Sequence, residues 1–254
     1  ANLEQFTRNC IGYLYPWPSN EAVEMGEVAM HFSFDKNEDN WAYELIEGKN
    51  HPIISNWPAE RVRGVHGDGL RIDGYTTYIE GQLNASLFSK DNITFAAWIA
   101  IETFPTGQDG GIQLGSIFSN NELDVAINSQ GRIFVNIENG GQITSAQVME
   151  SDEWIHMAVT VDVANGMLIL YKNGQAIGST HVSDRFSWAN RNFWIGKYRT
   201  DVLYAGFNIN HFNGIIDEVV IHNKTLSAAQ IAQDAAFKPT YSPDLTIPAS
   251  RFAN

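Results

Sequence analysis

The sequence predicts an all-β fold, a jelly-roll β-sandwich with one short helix, and three observations carry the prediction. Period-two runs rich in β-branched and aromatic residues recur along most of the chain. Turn signals separate them at about ten-residue intervals, the rhythm of sandwiches and jelly rolls. Helical periodicity is convincing in one place only, near residue 230.

Taken in order, the strand-like runs are VAMHFSF (28–34), GLRIDGYTTYIE (69–80), ITFAAWIAIETF (93–104), GSIFS (115–119), LDVAIN (123–128), GRIFVNIEN (131–139), QITSAQVM (142–149) and WIHMAVTVDV (154–163). In GMLILYKNGQAIGST (166–180), Asn173-Gly174 stands between two apolar runs. A two-residue type I′ turn needs positive φ at both central positions, so this pair predicts a hairpin. In TLSAAQIAQDAAF, Ser227 is placed to cap a helix over 228–236. Gln230 completes a capping box, and Leu226 can staple to Ile231. Residues 1–25 read as an extended lead-in, 26–236 as one domain, and 237–254, with Pro239, Pro243 and Pro248, as a linker toward a further domain.

The chain has 254 residues, 44% of them hydrophobic, which is ample for one large sandwich. Its formal net charge of −13 opposes binding to nucleic acid or anionic lipid and suits cations. Cys10 is the only cysteine, so an intrachain disulfide or a CxxC site is excluded. No apolar run approaches the roughly 20 residues of a membrane helix.

The ordered set MHFSFD, VHGDGLRIDGYTTYIE, ITFAAWI, DEWIHMAVTVD, LILYKNGQAIGS, FWIGKY and FNGIIDEVVIHNKTLSAAQI resembles the laminin-G-like, concanavalin A-type jelly rolls over roughly residues 26–236. That family occurs as accessory modules of extracellular bacterial proteins. The tail DLTIPASRFAN resembles the segment that leads into the catalytic domain of glycoside hydrolase family 32, whose members cleave fructans and sucrose. The two resemblances imply a non-catalytic accessory module of a secreted, periplasmic or cell-surface glycoside hydrolase. Its partners would be a carbohydrate such as fructan and the C-terminal catalytic domain of the same polypeptide. A purely structural or protein-interaction module is the alternative, and an independent sandwich glycosidase a third reading.

Sandwich glycosidases carry their acids in a pattern such as E-x-D-x-E on one strand face, so that two can flank a glycosidic bond. The nearest approach is Glu122 and Asp124 in ELDVAI, where the third acid is missing, and a surface strand with two solvated acids explains it. Asp217 and Glu218 are adjacent in an apolar run. Strict alternation sends them to opposite faces, Asp217 with Ile215, Val219 and Ile221, and Glu218 with Ile216 and Val220. No catalytic residue is therefore expected.

A buried Asp217 needs a partner. The resemblance implies a structural calcium where the first and last strands meet, which places Asp35 and Asp217 as ligands with carbonyls of the 66–69 turn. An Asp held by backbone N–H groups is the other reading, and the two stand side by side at this point. DKNED (35–39) lacks the glycine and distal glutamate of an EF-hand. The seven histidines form no zinc motif, and His156 reads as structural.

Sugar faces stack on aromatic rings while amides bond the hydroxyls. Trp188, and Tyr204 with Asn208, Asn210 and His211, lie in loop-like sequence and are the candidate carbohydrate contacts. Trp41 and Trp57 are also loop-like, whereas Trp98, Trp154 and Trp194 fall within strand patterns and read as core. Each loop aromatic also suits a sandwich end or a partner domain.

Overall fold

The computed structural model describes residues 27–36, 39–105, 114–138, 140–204 and 207–246. The lead-in 1–25, Cys10 and the last eight residues of the tail lie outside that set. In chain order the strands are β1 Val28–Phe32, β2 Trp41–Glu44, β3 Lys49–Ile54, β4 Arg61–Arg63, β5 Asp68–Asp73, β6 Tyr78–Gln82, β7 Asn92–Ile101, β8 Leu114–Ser119 and β9 Leu123–Asn128. They continue as β10 Arg132–Ile137, β11 Gly141–Val148, β12 Trp154–Asp162, β13 Met167–Lys172, β14 Gln175–His181, β15 Asn192–Ile195, β16 Leu203–Tyr204, β17 Phe207–Asn208 and β18 Asn213–His222, before helix α1 at Ala228–Ala235.

Two antiparallel sheets face each other. The first runs β14-β13-β12-β7-β18-β5-β4, with β1 paired to β18, and the second runs β11-β10-β9-β8-β15-β6-β3-β2. Alternation along each strand sends one set of side chains between the sheets, among them Phe32, Leu70, Phe95, Ile99, Phe118, Val125, Val135, Val159, Phe193 and Ile216. The hairpin forms as its turn residues require: Asn173 has φ 48° and Gly174 φ 79°, joining β13 to β14. Ser227 and Gln230 make the capping box, and Leu226 and Ile231 pack together with Ala96, Ala158 and Tyr171.

The run 69–80 is two strands in different sheets. Asp73 breaks it: its Oδ1 accepts the N–H groups of Tyr75, Thr76 and Thr77 at 3.0, 2.8 and 2.8 Å, and Gly74 takes φ 79°. Short polar caps of this kind compete with the ladder and win at a turn.

The outer face of the first sheet is covered. Trp98, Ala100, Trp154 and Ile215 form a second apolar layer there, and Val62, Val65 and Leu245 pack against it. Trp98 and Trp154 are thus buried, as expected, but beneath the C-terminal segment and not between the sheets. Trp194 departs further from expectation, lying half-buried on the outer face of the second sheet opposite Glu80. The tail that reads as a linker lies along the sandwich. Arg71, 1% exposed, reaches the carbonyls of Asp244 and Thr246 at 3.4 and 3.3 Å, and Arg63 stacks over the Tyr241 ring at 3.6 Å.

Candidate functional site

The closing strand β18 does not keep strict alternation. Asp217 pairs with Trp98 but Val220 pairs with Ala96, so Glu218 and Val219 together oppose one residue of β7. Glu218 takes φ 49°, and the extra residue makes a β-bulge. Val219 and Ile221 accordingly join Ile216 in the core between the sheets. Asp217 and Glu218 both lie on the outer side, a correction to the opposite faces that alternation predicts.

Their partners differ. Asp217 Oδ2 accepts the N–H groups of Val65 and His66 at 2.7 and 3.1 Å, and Oδ1 accepts that of Glu218 at 2.8 Å. The loop wraps this closely because Gly64 lacks a Cβ, which would stand 2.5 Å from Asp217 Oδ2. Asp35 accepts the Asp68 N–H at 2.9 Å, and a Cβ on Gly67, which also has φ 61°, would fall 1.9 Å from its Oδ1. Two acids therefore hold one glycine-rich turn.

Burial raises the Asp217 carboxyl well above the usual range, and the charges of Glu218 and Asp35 push it further against the N–H groups that lower it. Burial also raises Glu218 and lowers His31 to about 4, across a contact of 2.5 Å between Glu218 Oε2 and His31 Nε2. Both charged forms are disfavoured, so the pair is best described as sharing a single proton.

A cavity of about 20 Å³ beside this pair is lined by Glu218, His156, His66, Trp98, Asp234 and Phe237. That is room for one water and not for a sugar ring, since ligand sites run to roughly 300 Å³ or more. The adjacent acids consequently have no access to a glycosidic bond. Glu218 Oε1, His156 Nδ1 and Asp234 Oδ2 are buried with no hydrogen-bond partner among the described residues. Burial raises Asp234 to about 7 and lowers His156 to about 4.

Because Asp234 binds its proton more tightly folded than unfolded, its contribution to stability is full below the unfolded value near 4 and is lost as pH rises through 7. Asp234→Asn is expected to leave the melting temperature nearly unchanged at pH 3 and to raise stability increasingly above pH 4, by on the order of 3–4 kcal/mol at pH 8. Paired thermal melts across that range check it. An equal effect at both pH values would contradict it.

Glu122 and Asp124 are not solvated either. Glu122, 6% exposed, accepts the N–H and hydroxyl of Ser187, both at 2.9 Å. Asp124 is fully buried on the outer side of β9, held by Ser119 Oγ at 2.6 Å and Asn136 Nδ2 at 3.3 Å, with Arg199 at 3.6 Å. Burial raises its carboxyl even so. Each acid is occupied in fastening a loop.

The five candidate carbohydrate contacts are not brought together as one platform. Trp188 is 7% exposed, stacked on Phe186 with ring centres 4.8 Å apart, and its Nε1 donates to the Ser89 carbonyl at 2.7 Å. A loop-like sequence here hides a core ring, because Phe88 and Phe186 supply an apolar slot that the local pattern does not reveal. Tyr204 and Asn208 fall in the β16–β17 ribbon, and their side chains lie outside the described residues. Asn210 is buried and its amide donates to the Thr200 carbonyl.

His211 does line an open cleft, with Gly74, Tyr75, Thr103, Phe104 and Asn213. Burial first, and Lys197 second, lower the His211 imidazole to about 4, leaving it neutral, and its ring meets Tyr78 edge-on at 5.5 Å. Asn213 Nδ2 donates to Thr103 Oγ1 at 2.7 Å, which fixes both polar groups, and Tyr75 stands 57% exposed at the rim. The cleft encloses about 30 Å³, too little for a sugar ring to enter, so a saccharide could only lie across its rim against the exposed Tyr75.

Residues 73–232 match the family model described as the concanavalin A-like lectin/glucanases superfamily. The chain belongs to that superfamily. Among solved structures, this superfamily member is similar to domain 4 of AbnA, an extracellular arabinanase of glycoside hydrolase family 43 from Geobacillus stearothermophilus, solved with arabinotriose. The TM-score is 0.61 at 21% identity, over 82% of this chain and 98% of that one. It is also similar to the binding domain of Paraclostridial Mosquitocidal Protein 1, with TM-score 0.62 and 17% identity over 84% and 52%. Trypanosoma rangeli sialidase is a third, with TM-score 0.59 and 13% identity over 91% of this chain and 38% of that one. No curated protein matches the chain in sequence. At these identities the structural likeness establishes the fold, and no described helix is long and apolar enough to cross a membrane.

Proposed function

We propose that the chain is a non-catalytic, carbohydrate-binding accessory module of a secreted or surface glycoside hydrolase. The observation that carries this reading is the cleft in which the Tyr75 ring stands beside the fixed Thr103 and Asn213 groups and the neutral His211. An aromatic face with adjacent amide and hydroxyl groups is what a saccharide needs. The AbnA domain, solved with arabinotriose, is consistent with it. A fructan ligand and a family 32 catalytic partner following the tail rest on the sequence resemblance alone. Calorimetric titration with neutral fructo-, arabino- and xylo-oligosaccharides is expected to give binding that Tyr75→Ala weakens by about tenfold, equivalent to about 1.4 kcal/mol. Heat from none of these sugars would remove the lectin reading in favour of a structural or protein-interaction module.

A calcium ion held by Asp35 and Asp217 belongs to the same proposal. Asp35 and Asp217, which hold the same glycine-rich turn, support it, since a cation there would offset the charge that Glu218 and Asp35 set against Asp217. The fit is partial. Asp217 already spends three of a carboxylate's roughly four lone-pair sites on N–H donors, so carbonyls and Asp35 would supply most of the ligands. Among the described residues no group of three or more His, Cys, Asp or Glu is arranged to hold a metal.

A further inference from the structure

Two of the seven tryptophans sit half-exposed on one edge of the second sheet, and nothing in the cleft accounts for them. Trp41 is 46% exposed and Trp57 47%, with Ile54 at 40% between them in sequence. Alternation explains the first part. Ala42 and Ile53 point into the core, so Trp41 on β2 and Ile54 on β3 point outward, and Trp41 stands opposite Pro52. Asn40 explains the second. Its carbonyl accepts the Ile53 N–H at 2.8 Å and its Oδ1 accepts the Ala59 N–H at 2.9 Å, which folds the turn carrying Trp57 back against the start of β2.

The backbone beneath these rings is tied down. The Arg61 guanidinium donates to the carbonyls of Phe34, Asp39 and Trp41 at 3.1, 3.0 and 2.6 Å. Ser55 and Thr77 hydroxyls bond at 2.8 Å, joining this edge to the turn that presents Tyr75 at the cleft rim. The two exposed rings are carried on segments tied together through Asn40, which gives this stretch of surface two aromatic faces on a fixed backbone.

We infer that Trp41 and Trp57 form an aromatic extension of the Tyr75 cleft that binds further units of a neutral oligosaccharide. The inference rests on the carbohydrate-binding reading and adds where a longer chain runs. Three features favour a neutral saccharide as occupant. Polar residues flank the rings in sequence, and the exposed Asn40 and Asn56 amides among them can bond hydroxyls. The net charge of −13 repels anionic glycans. The segment carrying Trp57 lies beside the turn carrying Tyr75, through the Ser55–Thr77 hydroxyl contact and the Asn56 N–H donated to Thr76 Oγ1 at 3.4 Å.

The test is calorimetry with neutral fructo-, arabino- and xylo-oligosaccharides of two to six units against the full chain and its variants. Affinity is expected to rise with chain length. Trp41→Ala and Trp57→Ala should each weaken the longest ligand by about tenfold, or about 1.4 kcal/mol, while leaving the shortest nearly unaffected. Tyr75→Ala should weaken every length. If both tryptophan variants bind the longest chains like the unaltered protein while Tyr75→Ala does not, the platform is wrong and the cleft stands. If the unaltered protein binds none of these sugars, both fall. A concentration-dependent dimer that either tryptophan variant abolishes would overturn the inference in favour of contact between two copies of this chain.

Discussion

Replacing Asp217 with Ala is expected to lower stability by about 3–5 kcal/mol, because the N–H groups of Val65, His66 and Glu218 lose their acceptor at once. For a domain of this size each kcal/mol corresponds to about 2–4 °C, so the melting temperature should fall by about 6–20 °C. Removing a buried and repelled carboxylate gives some of this back, since burial and Glu218 both oppose its charge. Asp217→Asn keeps one acceptor oxygen and should lose roughly half as much. Circular dichroism melts decide it, and a loss under about 1 kcal/mol for the Ala variant would sink the account. The same melts test calcium. If the ion binds through Asp217, millimolar calcium should raise the melting temperature of the unaltered protein, a chelator should reverse that, and neither should move the Asp217→Ala variant.

Arg71→Met is the second large effect. Arg71 is 1% exposed, its Nη2 lies 2.6 Å from Glu102 Oε2, and its Nη1 faces two carbonyls of the tail. Removing it unpairs Glu102 and two tail carbonyls; because Glu102 is 23% exposed and water can reach it, the cost is about 2–3 kcal/mol and not the about 3–5 kcal/mol of a fully buried pair. Methionine fills much of the volume, so the deficit should be chiefly electrostatic. The tail should loosen with it. Segment 236–246 should become sensitive to protease, and the fluorescence of Trp98 and Trp154 should shift to the red as Leu245 leaves them. A variant whose tail stays protected would show that Leu245 and Tyr241 hold it without Arg71.

Whatever could be read from short spans was readable. Asn173-Gly174 demands a hairpin through its own φ angles, and Ser227 with Gln230 caps a helix through its own side chains. The sandwich follows from period-two runs, whose inward residues needed no knowledge of their partners. The site was less accessible. His211 could be nominated because it stands beside amides in a loop, but Tyr75, Thr103 and Asn213 meet it only through the pairing of β18 with β5 and β7. Trp188 misled because its apolar slot is built by rings about a hundred positions away and next door alike. Arg71 carries no local sign of its burial, since the carbonyls it binds lie some 170 positions downstream.

The pair Asp217–Glu218 marks the boundary. Residue order alone places two acids in an apolar closing strand and requires each to find a partner, because desolvating a carboxylate is expensive. Which face each acid occupies was decided by tertiary structure. Alternation is a property of a regular strand, and the bulge at Glu218 breaks it where β18 must pair with β7 on one side and β1 on the other. The extra residue turns Val219 into the core and brings Glu218 to His31, a contact spanning 187 positions, while Asp217 meets the turn at Val65 and His66. Those partners exist only once the sheets have assembled, and no reading of the local pattern contains them.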